Sequence, residues 1–213
     1  MAGQKGSSFE RELARQLSLW WSHQQDDTIF WRVLGSGGRA TRKTHTGKGT
    51  AHVSFGDLEA TCPEGFAFTD LALCEFKRGY GRWAITDVLD ARTVKTQTWN
   101  LFMEQVLESW RASGRRWWIV IFKRDQRKPM IVLCPQLYMW LHGRSEDKCG
   151  PSRVAFRAIF HGRLHHSSMS CASMPLDTFL ATVQPEVFID EHKRGQTSEE
   201  DTIAGPITKG WCL

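Results

Sequence analysis

The sequence predicts an α/β fold: a mixed central sheet flanked by helices, with the elements in the order helix, three strands, helix, strand (αβββαβ). Three observations predict it. A helical stripe opens the chain over residues 7–21, and a second occupies about 95–113. Between them stand three short runs rich in β-branched and aromatic residues, and a further apolar strand follows the second helix. Helices that interrupt a series of strands are what a layered α/β sheet requires.

The elements follow in order. In "SSFERELARQLSLWW", Phe9, Leu13, Leu17 and Trp20 recur at helical spacing, and Ser7 or Ser8 can cap the helix. Glu10 borders that stripe. Residues 28–34, "TIFWRVL", read as the first strand and 52–60, "HVSFGDLEA", as the second. Residues 66–77, "FAFTDLALCEFK", read as the third, whose alternation fades near its end as in a strand covered on both faces. A short helix is expected near 86–92. Trp99, Phe102, Val106 and Trp110 mark the helix of 95–113, which Gly114 stops. "RRWWIVIFKR", 115–124, is the clearest strand. "PMIVLC", 129–134, is the next, and "DQRK" forms the turn between them. Residues 153–160 suggest another strand and 175–183 a short helix. From about residue 190 the chain turns polar and loses periodicity. The expected division is a core of 1–134, an extension of 135–189 packed on it, and a flexible tail of 190–213.

Composition narrows the function. The chain has 213 residues, 41% hydrophobic, with a formal net charge of +5, which favours an anionic partner. Its six cysteines are scattered and contain no Cys-x-x-Cys pair, so a disulfide framework is not expected. The polar start is unlike a signal peptide, and no apolar run approaches membrane-spanning length. A cytoplasmic protein without a membrane partner is the expectation. Cys149, His161, His165, His166 and Cys171 do not match zinc-module spacing. Trp20, Trp21, Trp31, Trp117 and Trp118 are assigned to packing.

The chemistry concentrates between Phe55 and Lys77. Asp57 and Glu75 fall on neighbouring predicted strands, and the loop between them is short enough for a hairpin. Two carboxylates brought that close repel unless a cation lies between them. Mg²⁺, a hard dication, suits oxygen ligands and leaves room for water and phosphate. Lys77 lies two residues beyond Glu75, so along a strand the two side chains share a face. Glu10 supplies a third carboxylate. Three carboxylates and a lysine beside a basic loop suit phosphodiester hydrolysis. A Glu-x-Lys taken alone is common on strands and usually solvated, and Asp57 alone fits a turn. The loop 35–50 carries Arg39, Arg42, Lys43 and Lys48, and no acidic residue occurs from Val33 to Gly56. Those four cations are the expected contacts to DNA backbone. The basic runs 111–116 and 123–128 suit either phosphate contacts or solvated surface. Gln97 is a candidate to approach the site from the second long helix.

The order of these motifs resembles the PD-(D/E)xK nuclease superfamily, and most closely the archaeal-type Holliday junction resolvases. "GSSFEREL", Gly6 to Leu13, matches the opening of the first helix in that family. "WRVLGSGG" supplies Arg32, Gly35 and Ser36, Asp57-Leu58 matches the acidic–hydrophobic pair, and Glu75-Phe76-Lys77 matches the Glu-x-Lys. The resemblance covers about residues 6–77. It implies a restriction-endonuclease-like core, with Glu10, Asp57 and Glu75 as metal-binding acids and Lys77 and Ser36 as further catalytic residues. Arg11 and Arg32 would contact phosphate. It further implies an endonuclease that uses Mg²⁺, with Mn²⁺ as a substitute, and a homodimer acting on four-way DNA junctions in recombination and repair. The twenty residues between Ser36 and Asp57 exceed that family's usual link. Three other readings stand beside it: a nuclease of the same fold that cuts duplex or single-stranded DNA, a DNA-binding protein without cleavage, and an assembly component of a nucleoprotein machine.

Overall fold

A computed structural model describes residues 2–33, 55–78, 97–144, 154–161 and 166–201. Ser36, Arg39, Arg42, Lys43 and Lys48 lie outside the described residues, as does the short helix expected near 86–92.

Helix α1 spans Ala2–Trp21, and Ser7 and Ser8 fall inside it rather than at its cap. Its stripe is real: Phe9, Leu13, Leu17 and Trp20 are all buried. Each such side chain contributes about 1.5–3 kcal/mol when fully removed from water. Buried Ser18 joins the helix to the next element. Its hydroxyl donates to the Ala14 carbonyl at 2.9 Å and accepts from the Phe30 N–H at 2.8 Å.

Strands β1 (Phe30–Arg32) and β2 (Leu58–Ala60) pair antiparallel as a separate two-stranded ribbon. Phe30 points into the core. Trp31 points out and is 47% exposed, which corrects its assignment to packing. Alternation along a strand accounts for the difference.

The expected third strand is half helix. A 3-10 turn at Pro63–Gly65 leads into helix α2 (Phe66–Leu71), and strand β3 begins only at Ala72 and runs to Arg78. Apolar runs this short do not distinguish helix from strand. Here Phe68 is drawn into an aromatic cluster with Trp20, Trp21 and Phe30, ring centroids 5.6–5.7 Å apart. The three strands therefore do not form one meander: a helix separates the second from the third, and the third belongs to a different sheet.

Helix α3 (Gln97–Ser113), strands β4 (Trp117–Lys123) and β5 (Met130–Leu133), and the turn between the strands follow the expectation closely. Helix α4 (Pro135–Arg144), strands β6 (Val154–His161) and β7 (His166–Pro175), and helices α5 (Leu176–Thr182) and α6 (Glu186–Asp201) complete the chain. The main sheet has five strands in the order β3-β4-β5-β7-β6. Only β3 and β4 are parallel, so the sheet is mixed. Residues 135–189, expected to pack on the core, thus contribute two strands to the same sheet. Residues 190–201, expected in a loose tail, continue α6.

Helices cover both faces. On one, Trp117 of β4 meets Trp140 of α4 and Phe188 of α6, and Phe188 also meets Trp20 and Phe68. On the other, α3 places Phe102 and Gln105 beside Lys77. Strand β3 is an edge strand, and its outer side receives the segment at Asp57.

Candidate active site

The site is assembled at the outer edge of β3, which no strand pairs among the described residues. Asp57 lies just before β2, and β2 pairs with β1, so the hairpin expected to join Asp57 to Glu75 does not exist. The approach is made by backbone instead. The Asp57 N–H donates to the Cys74 carbonyl at 2.8 Å, and the Val33 N–H donates to the Asp57 carbonyl at 3.0 Å. Gly56 permits this close passage. Its φ is +78°, and a Cβ there would lie 2.6 Å from the Cys74 oxygen. Arg115, at the α3–β4 junction, donates to the Phe55 carbonyl at 3.1 Å and secures the segment from the other side.

The Asp57 side chain then turns along β3. Its Oδ2 accepts from the Phe76 N–H at 2.7 Å, which gives that edge backbone donor an acceptor. Glu75 is 3% exposed and Asp57 7%. Burial, and next the charge of Asp57, push the Glu75 carboxyl up to about 7, against the opposing pull of Lys77.

Lys77 lies on the same face as Glu75, as period two requires. Its Nζ donates to Glu75 Oε2 at 2.9 Å and to Gln105 Oε1 at 3.2 Å. It also stands 5.7 Å from the centroid of the Phe102 ring. Gln105, two helical turns beyond Gln97, was not singled out by the sequence. Its signal was there: it borders the apolar stripe of α3 as Glu10 borders that of α1.

The structure brings Asp57, Glu75 and Lys77 together. It places Glu10 against Arg32, Oε2 to Nη1 at 3.2 Å, with both side chains half-buried. Among the described residues no three His, Cys, Asp or Glu side chains converge as a metal-holding group. Arg11 is exposed on α1. The donor set at Asp57 and Glu75 nevertheless fits a hard dication. Asp57 and Glu75 are both buried and lie on adjoining backbone, and added positive charge would offset the burial and the Asp57 charge that raise Glu75.

A family model described as "phage putative PDDEXK endonuclease" matches residues 2–190. The chain belongs to that family. The match places it in the PD-(D/E)xK superfamily, whose nucleases generally use divalent metals. It spans α1 through β7 and reaches into α6. No curated protein and no solved structure matches the chain. No helix among the described residues is long and apolar enough to cross a membrane.

Proposed function

We propose that the chain is a divalent-metal-dependent endodeoxyribonuclease whose reacting centre is Asp57, Glu75 and Lys77. The observation that carries this reading is the buried carboxyl pair with Lys77 Nζ 2.9 Å from one member. A burial this costly has no packing rationale, because apolar residues would fill an edge of the sheet more cheaply.

The reaction is hydrolysis of a phosphodiester. A water oxygen forms a bond to phosphorus, one P–O ester bond breaks, and the departing oxygen takes up a proton. Asp57 and Glu75 would hold the metal. When bound, it supplies positive charge that polarises the phosphodiester and acidifies water. Mg²⁺ is the proposed ion, with Mn²⁺ as a substitute. Lys77, held beside Glu75, directs a proton toward the charge that develops on the phosphate. Gln105 holds Nζ in place. Glu10 orients the Arg32 guanidinium, a fork suited to a phosphate beside the scissile one. Ser36 is proposed as a further catalytic residue, and Arg11, Arg39, Arg42, Lys43 and Lys48 as DNA contacts, on the motif resemblance and charge alone.

The finer reading, a homodimer cutting four-way junctions, rests on "GSSFEREL" and "WRVLGSGG". One experiment tests both levels. Purified protein is given a four-way junction, a flap and a linear duplex, with Mg²⁺, with Mn²⁺ and with chelator. Metal-dependent cutting that Lys77→Ala abolishes supports the nuclease. A folded protein that cuts none of the three with either metal refutes it. Equal cutting of all three removes the junction preference and leaves the nuclease standing.

A further inference from the structure

The sheet is electrically polar along the direction of β3 and β4, and the basic end is the end that carries the site. The two strands are parallel with Arg78 opposite Lys123, so both finish at one edge. Glu75 and Lys77 lie in the last half of β3. Arg78 and Lys123 stand over the same ring, Phe9 of α1, at 5.7 and 6.0 Å from its centroid. The β4–β5 turn then adds Arg124 and Arg127, joined by a hydrogen bond from the Arg127 N–H to the Arg124 carbonyl at 3.1 Å. One carboxylate, Asp125, shares this turn.

The opposite end carries paired charges. Asp70 lies at the last turn of α2, just before β3, and meets His192 of α6 at 3.1 Å. Arg116, just before β4, pairs with Glu191, which also takes Arg194. Arg116, Arg194 and His192 there each have a carboxylate partner. Lys123, Arg124 and Arg127 make no ion pair among the described residues. The run 123–128 is thereby divided, since Lys128 pairs with exposed Asp177 at 2.6 Å. The run 111–116 is set aside too, with Arg115 turned inward to Phe55 and Arg116 held by Glu191.

Helix α1 reinforces the polarity. Phe9 near its start packs at the basic edge, and Trp20 near its end packs against Phe68 at the other. The helix therefore runs opposite to β3 and β4 and directs its positive end to the edge that holds Lys123. No acidic residue occurs in its first turn.

We propose that Lys123, Arg124 and Arg127 form a backbone-binding rim for duplex DNA, which carries the strand from the β3 edge across the ends of β3 and β4 to the β4–β5 turn. Duplex DNA presents one negative charge per ~1.7 Å of axis, a density that three cations without carboxylate partners among the described residues suit. Long basic side chains at strand ends reach the edge whichever face they leave from. The open sides of parallel strand ends are also where α/β sheets bind ligands. The rim rests on the nuclease reading, since it names the contacts that hold that enzyme's substrate.

The test is binding of a labelled duplex by the full chain in chelator, across a salt titration. Arg124→Gln/Arg127→Gln should weaken binding about tenfold and flatten the slope of log K against log salt by about 1.8, at ~0.9 for each phosphate no longer neutralised. Lys123→Gln should flatten it by about 0.9. Arg111→Gln/Arg194→Gln removes two charges at the far end and should leave both quantities within about twofold of the parent. Arg127→Glu, at an exposed turn position, repeats the test without changing the half-buried Arg124 side chain. An unchanged slope in the rim variants, an equal loss in the far-end variant, or tighter binding to an RNA duplex of the same sequence overturns the rim. If Mg²⁺-dependent cutting persists while the rim fails, the nuclease reading survives it. If the parent protein neither binds nor cuts DNA, both fall together.

Discussion

The Asp57 carboxylate accepts a hydrogen bond from the Phe76 backbone N–H at 2.7 Å, nineteen residues away in sequence, on the outer edge of β3. One side chain thus does two things. It closes a sheet edge, and it delivers a carboxylate to Glu75. The two roles separate by mutation. Asp57→Ala should leave the Phe76 donor without its acceptor and cost about 1–3 kcal/mol of stability. Asp57→Asn retains an acceptor oxygen and should melt close to the parent. Both should lose cutting by about 10²-fold or more, since neither has the anion. Thermal melts alongside cleavage rates check this. An Asn variant that cuts at the parental rate would remove Asp57 from the chemistry.

Gly56 sets the approach of that carboxylate. At φ +78° any other residue is strained, and its Cβ would press on the Cys74 carbonyl, which is strand backbone and cannot yield cheaply. Gly56→Ala should destabilise by about 1–3 kcal/mol and lower cutting even at temperatures where the protein remains folded. Chemical denaturation gives the first quantity and a single-turnover rate the second. Equal stability of the two proteins would mean the passage is looser than 2.6 Å implies.

The sequence made some of this legible and hid the rest for physical reasons. Helix α1 and strand β4 were readable because burial stamps a period on them: the Phe9–Trp20 stripe and the "WWIVIF" run. Glu75 and Lys77 were readable because two residues apart on a strand means the same face. The relation of Asp57 to β3 was readable only in outcome, since the expected hairpin is replaced by a backbone contact around an intervening helix. Strand β7, "HSSMSCASMP", was missed because its small side chains show little alternation. Its strand state comes from partners on both sides, with Ala172 opposite Leu133 on one and Ala155 on the other. Helix α6 was missed because its polar surface outweighs a short apolar stretch, Val187–Ile189, of which only Phe188 is fully buried, against Trp117 and Phe68. The Arg32–Glu10 pair joins two elements that no local pattern connects.

Gln105 yields a prediction that separates positioning from charge. It accepts from Lys77 Nζ without carrying charge itself, so it fixes where the ammonium sits. Gln105→Leu should lower the cleavage rate about tenfold, because small misplacements of a reacting group are costly. DNA affinity in chelator should stay within about twofold of the parent, as no charge is lost. Lys77→Ala should cost about 10²-fold or more in rate, in the range of removing a direct donor to developing charge. Rates and affinities that fall together in the leucine variant would show a general structural defect instead.

Glu75 ties the site to pH through stability. Its carboxyl sits near 7 in the folded chain, raised by burial and by Asp57, against 4.5 as the ordinary value. Between those two values the unfolded chain has released the proton that the folded chain still holds. Stability of the metal-free protein should therefore be fullest below about 4.5 from this group, fall as pH rises, and level off above about 7. At ~1.4 kcal/mol per unit of displacement, the loss is on the order of 3 kcal/mol. Other groups titrate in the same window, so Glu75→Gln is the reference: its amide does not ionise, and the parent-minus-variant difference isolates the carboxyl. Melting in chelator from pH 4.5 to 8 should show that difference growing against the parent as pH rises. Millimolar Mg²⁺ should reverse the trend, because it favours the ionised pair that pH alone makes costly. A difference that stays flat in chelator would mean that Lys77 neutralises Glu75 fully. The buried pair would then be an ordinary ion pair with no uncompensated charge for a metal to offset.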